Sequence, residues 1–176
     1  HAGYHAEYCS GTIFMGSGAG RAASGVTDSV CIGKNAGNVA SGLTGTSHMV
    51  LIGSRAGTNL NLDTNSLVAI GRDAAYAASG CNSSAMIGHD AGKNSFNVRY
   101  TVAVGPSAGL QASGSDYSVM VGNQAGESTL VSDQSVFIGH RAGHTASGVD
   151  DSIIIGERAG LALSGAYPTS PAHGPK

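Results

Sequence analysis

One pattern governs what this chain can fold into. An apolar triplet, then Gly-x-x-Ala-Gly, then x-x-Ala-Ser-Gly and a polar turn, recurs from one end to the other. The first Gly of each copy falls at Gly16, Gly33, Gly53, Gly71, Gly88, Gly105, Gly122, Gly139 and Gly156. Successive spacings are 17, 20 and 18 residues, then five of 17. A period this short and this regular predicts a solenoid in which each copy is one coil. The expected fold is all-β: a parallel β-solenoid, or β-roll, of about nine 17-residue coils.

Aligned in register, the copies form columns, and each column has a physical meaning. The triplets begin and end almost throughout with Val or Ile, as in Val30-Cys31-Ile32 and Val136-Phe137-Ile138, and β-branching favours strand. Neighbours in a strand point to opposite faces. The first and third residues are therefore expected inside the coil and the middle residue outside. That middle column reads Phe14, Cys31, Leu51, Ala69, Met86, Ala103, Met120, Phe137 and Ile154, with no polar member. Nine coils at a strand spacing of ~4.8 Å would make it an apolar stripe roughly 40 Å long. A stripe of that extent marks an interface, so these nine residues are the expected contact with further copies of the chain.

The Gly that ends the triplet is invariant across the nine copies, as a corner with positive φ would require. Three residues on, Ala is equally invariant (Ala19 to Ala159), which predicts a side chain pointing into a tight corner. The next column is Gly except for Ala75, which suggests close approach of backbones there more than a positive φ. Ala-Ser-Gly forms a short second side. Copies three, five and seven replace it with Leu60-Asn-Leu62, Phe96-Asn-Val98 and Thr129-Leu-Val131. Asp28, Asn65, Asp116, Asp133 and Asp150-Asp151 close the coils with residue types that turns favour. The insertion in the second copy, Leu43 to His48, falls in such a turn.

Composition narrows the function classes. Nine Lys and Arg scattered in a chain of net charge -2 give no electrostatic footprint for nucleic acid. No apolar run reaches the 18 residues of a membrane-spanning helix, so no membrane insertion is expected. Cys31 lies in the apolar middle column. Cys9 and Cys81 share a turn column about four coils apart, on the order of 19 Å, so all three are expected free. His1-Ala2-Gly3 aligns with Gly18-Ala19-Gly20, so the sequence opens in mid-coil, as a piece of a longer array or a processed product would. The solenoid is expected over residues 1–165, with 166–176 a Pro-rich linker or tail.

The unit Ser-Val-x-Ile-Gly-x-x-Ala-Gly-x-x-Ala-Ser-Gly resembles the head repeats of YadA-like trimeric autotransporter adhesins. It is still more similar to the Ile-Gly-x-x-Ala-Gly repeats of phage tail-fibre and tail-spike proteins, which often end in a self-cleaving chaperone domain. The resemblance covers residues 2–165. It implies a homotrimer of parallel β-rolls with the Val-x-Ile strands nearest the axis. The period of 17 is longer than that of the adhesin heads, and no anchor, coiled-coil stalk or chaperone domain is expected within residues 1–176. The implied functions are a tail-fibre shaft or receptor-binding segment on a virion, or the head of a bacterial surface adhesin. The implied partners are the chain itself and a cell-surface glycan or protein receptor.

Few residues depart from their column in a way that chemistry would need. His140 and His144 flank one corner and His89 shares a column with His140, but a metal takes about four convergent ligands, so no metal is expected. The Asp turns lack the Gly-Gly-x-Gly-x-Asp pattern of calcium β-rolls. Tyr100 and Tyr117 occupy one turn column in adjacent coils, a stack that can serve as cross-strand packing or as a ligand surface. Arg55, Asp73 and Asp90 follow one another in a column as an exposed ion-pair ladder. No catalytic residues and no cofactor are expected, and the chain reads as no enzyme. A glycan-degrading tail spike is the enzymatic alternative. An ice-binding solenoid would need Thr ranks, and no column is rich in Thr.

Overall fold

The computed structural model describes residues 1–38, 46–60 and 65–164. The Ala-Ser-Gly of copy two, the start of its insertion, Leu62 and the 166–176 tail lie outside the described residues. Nine strands form one sheet in chain order: β1 (Ile13–Met15), β2 (Val30–Ile32), β3 (Val50–Ile52), β4 (Val68–Ile70), β5 (Ala85–Ile87), β6 (Val102–Val104), β7 (Val119–Val121), β8 (Val136–Ile138) and β9 (Ile153–Ile155). Every neighbouring pair is parallel and pairs column on column, so Phe137 lies between Met120 and Ile154. A second, thinner ladder of single bridges runs through Ser79, Phe96, Ser113, Leu130, Ser147 and Ser164. The chain is thus a parallel β-solenoid with one coil per repeat.

The strand alternation is present, but its sense is the reverse of the expectation. The middle column is the core: Cys31, Leu51, Ala69, Met86, Ala103, Met120 and Phe137 are at most 1% exposed, Ile154 is 9%, and Phe14 packs against them. The first and third columns face outward, none of them buried. The reason lies in the other inward columns. Each coil turns inward at the middle strand residue, at the two Ala positions, at the column of Val26 and at the column of Ser29. The two Ala positions are small in most coils, which leaves room beside them for the large middle-column residue. Apolarity could not assign the face, because both faces of these strands are apolar.

The corner glycines explain how such narrow coils stack. Gly105 has φ 131°, and a Cβ there would lie 2.5 Å from the carbonyl oxygen of Gly122 in the next coil. No side chain fits that combination of angle and contact. The second Gly column works differently. At Gly143 an added Cβ would run into the ring of Phe137, and at Gly126 into the thioether of Met120. This glycine makes room for the middle-column side chain of its own coil, not for a neighbouring backbone. Its φ is also positive, as at Ala75 (52°), which corrects the expectation drawn from that substitution. The one coil with Ala at this position has only Ala69 in the middle of its strand. A methyl has moved from one wall to the other.

That exchange is testable. Ala69→Met should destabilise by ~1–3 kcal/mol through overpacking against Ala75. Adding Ala75→Gly should recover much of the loss, with a coupling of at least ~1 kcal/mol in a double-mutant cycle of urea melts. Additive effects would show that the two positions do not share space.

Buried hydroxyls complete the interior. Ser84 Oγ donates to the Val98 carbonyl at 3.0 Å in the next coil and accepts the Thr101 N–H at 3.2 Å. Thr101, Ser118 and Ser135 repeat the arrangement down the stack. Each hydroxyl is satisfied on both sides, as burial demands. Met49 and Leu67 replace it in copies three and four, filling the interior with apolar volume instead.

Candidate functional site

Two surfaces stand out from the scaffold. The first is the outward face of the sheet. Its columns are Ile13, Val30, Val50, Val68, Ala85, Val102, Val119, Val136 and Ile153, and Met15, Ile32, Ile52, Ile70, Ile87, Val104, Val121, Ile138 and Ile155. No polar residue interrupts either column. With eight strand-to-strand steps of ~4.8 Å the face is ~38 Å long. The residues expected as the interface, Phe14 to Ile154 of the middle column, lie beneath it and are spent on the core of their own coil. An apolar outward stripe exists, but it is made by their neighbours. The signal that could have found this is the paired exception Ala69 and Ala75, which places the middle residue on the inside.

The second surface is the polar turn before each strand. Tyr100 and Tyr117 stack there with ring centroids 4.7 Å apart and planes 10° from parallel, as their shared column predicts. Both are more than half exposed and both adopt left-handed φ, 56° and 55°. Beside them Arg99 grips Asp116 through Nε at 3.0 Å and Nη2 at 2.6 Å. The bidentate pair, with the two carboxylate-facing N–H groups, raises the guanidinium pKa above its ordinary value.

Next to the tyrosines, a ladder of side-chain oxygens runs along the turns. Asn65 Oδ1 accepts the Ser47 N–H at 3.0 Å, and Asn82 Oδ1 accepts the Asn65 N–H at 2.6 Å. Further on, Asp116, Asp133 and Asp150 accept from Arg99, Asp116 and Asp133 at 2.7, 2.8 and 3.0 Å. These acids therefore cap turns, each one across a coil boundary. Asx residues suit the task because their oxygen reaches a neighbouring N–H on a short side chain.

The column of Arg55, Asp73 and Asp90 is more than a surface ladder. Arg55 Nη2 donates to Asp73 Oδ2 at 2.6 Å, and Asp73 itself is buried. Asp73, His89 and Asp90 bring one ligand atom each within 4.8 Å of one another. Cations surround them: Arg72 contacts His89 Nε2, Lys93 Nζ lies 3.1 Å from Asp90 Oδ1, and Tyr76 lies under Arg55 and Lys93. Arg55 and Arg72 face Asp73 Oδ2 and Lys93 pairs with Asp90, so the group forms an ion-pair network in which the buried Asp73 Oδ1 has no hydrogen-bond partner. His140 and His144 do not converge on it. They lie 3.7 Å from Glu157 and 3.8 Å from Glu127.

The three cysteines are free. Burial, with a smaller contribution from Cys9, pushes the Cys31 thiol up to about 12, and burial also raises Cys81. Both therefore remain neutral thiols near neutral pH, core residues rather than nucleophiles.

The fold and these surfaces define a β-solenoid repeat protein with an apolar sheet face and a polar, aromatic-bearing turn flank. No protein-family model, curated protein or solved structure matches the chain. No helix among the described residues is long and apolar enough to cross a membrane.

Proposed function

We propose that this chain is a self-associating structural module, a homotrimeric segment of a phage tail fibre that acts as shaft or receptor-binding spacer on the virion. The observation that carries the reading is the uninterrupted apolar outward face. A second copy is the natural occupant, because two stacks with the same ~4.8 Å step present ridges and grooves at matching intervals. The face is only two columns wide, and a narrow stripe is best buried about a common rotational axis. Three-fold order rests on the resemblance to tail-fibre and adhesin-head repeats. Each coil contacts only its neighbours, so continuous ladders make the module a stiff rod rather than a vessel for catalysis.

The head of a bacterial surface adhesin is the second reading. The exposed Tyr100–Tyr117 stack favours it, because a recognition surface keeps aromatic faces in solvent where a plain spacer need not.

Sedimentation tests the assembly. Wild type should run at three times 17.4 kDa, and Val104→Lys with Ile138→Lys should run at 17.4 kDa with unchanged far-UV circular dichroism. These outward side chains have no role inside the coil, so folding and assembly separate cleanly. A wild type that is monomeric at micromolar concentrations would overturn the reading.

A further inference from the structure

The Asx ladder breaks once among the described residues, and the break coincides with a groove. At the position between Asn82 and Asp116 the chain carries Arg99, whose side chain turns to Asp116 instead of back to the preceding coil. The Asn82 N–H is therefore the one donor of the column, between Ser47 and Asp133, that receives no side-chain oxygen from the following coil. A groove of about 470 Å³ opens there. It is lined by Asn65, Asn82, Asn97, Phe96 and Arg99 among others, with no Asp or Glu in the lining itself, although Arg99 is paired with Asp116 at its edge. Phe96 is 52% exposed, in a column where the adjacent coils carry Ser79 and Ser113. One groove thus gathers two departures from the repeat, an aromatic ring and an arginine, each replacing a small or acidic residue.

We propose that this groove binds an acidic sugar unit of a glycan. A carboxylate supplies the oxygen that an Asp supplies elsewhere in the column, accepting from the Asn82 N–H. Arg99 lines the same groove and leaves Nη1 without a bond to Asp116, a charge-assisted donor for the ligand. The Phe96 ring gives an apolar platform for the C–H face of a pyranose, and the carboxamides offer donors and acceptors to its hydroxyls. A peptide carboxylate would use the same donors but not the combination of flat platform and converging amides. None of the groove residues belongs to the outward strand columns, so the site goes beyond the assembly reading and stands apart from it.

The repeat itself supplies variants that the fold accepts. Arg99→Asn restores the residue type of Asn82 and Asn65, and its Oδ1 can accept the Asn82 N–H. Phe96→Ser restores the residue of the neighbouring coils. Isothermal titration of the full chain with tetragalacturonate should show saturable binding, with a neutral galactose tetrasaccharide and tetra-aspartate giving none. Each substitution should weaken tetragalacturonate binding about tenfold or more through loss of a charge-assisted bond or the stacking platform. The Tm of Arg99→Asn should be equal to or above that of wild type, since the ladder is then continuous. Absence of tetragalacturonate binding at millimolar concentration would overturn the proposal. So would equal binding of the neutral sugar, tighter binding of tetra-aspartate, or full affinity in either variant. Sedimentation of the same samples reads assembly separately, so failure of the sugar site and failure of the trimer are distinguishable.

Discussion

Phe137→Asp is expected to unfold the C-terminal coils, not merely to dissociate one chain from another. Phe137 is fully buried in β8, stacked between Met120 and Ile154 and lying over Gly143. Removing a buried Phe costs ~3–5 kcal/mol. An unpaired carboxylate in its place adds several kcal/mol, since the inward columns around it offer no cation. The sum approaches the ~5–15 kcal/mol of a whole domain. In a solenoid the loss is borne by the coils that touch the mutated one, so the ladder should fray from β7 onward while earlier coils persist. Hydrogen exchange should show protection lost over residues 119–164, and Tm should fall by more than ~10 °C at the usual 2–4 °C per kcal/mol for a chain of this size. A folded, less associated protein with full protection would return Phe137 to the outside.

Gly105→Ala is the second large effect, and its contrast with Gly109→Ala identifies the cause. At Gly105 the new Cβ meets the Gly122 carbonyl oxygen at 2.5 Å with φ 131°, an angle that only Gly adopts readily. Backbone strain of ~1–3 kcal/mol combines with a clash that can be relieved only by separating two coils. At Gly109 φ is 62°, and the nearest atom, Met120 Sδ, lies 3.2 Å away on a flexible side chain. Ala75 already occupies the equivalent position in the fourth coil. The cost there should be ~1–2 kcal/mol, that of a left-handed Ala. Urea melts of the two variants should differ at least twofold in lost stability. Equal losses would mean that positive φ alone, and not the inter-coil contact, dictates the corner Gly.

The sequence by itself determined the repeat, the strands, the parallel order and the turns, because each is written in local chemistry that recurs every 17 residues. The invariant Gly and Ala columns, the β-branched triplets and the Asx turns all lie where they were expected, and so does the Tyr100–Tyr117 stack. What only the tertiary structure decided is which face of a doubly apolar strand is the inside. Period-two alternation divides Val136 and Ile138 from Phe137, but hydrophobicity does not rank the two faces when both are apolar. The decision falls to volume. A coil narrowed by small residues at the two Ala columns and by corner glycines takes the single middle residue of the strand inside, and the branched pairs are left on the surface. The groove beside Arg99 was illegible for a related reason: its residues are ordinary singly, and only the stacking of coils shows that an oxygen of the ladder is replaced there by a guanidinium.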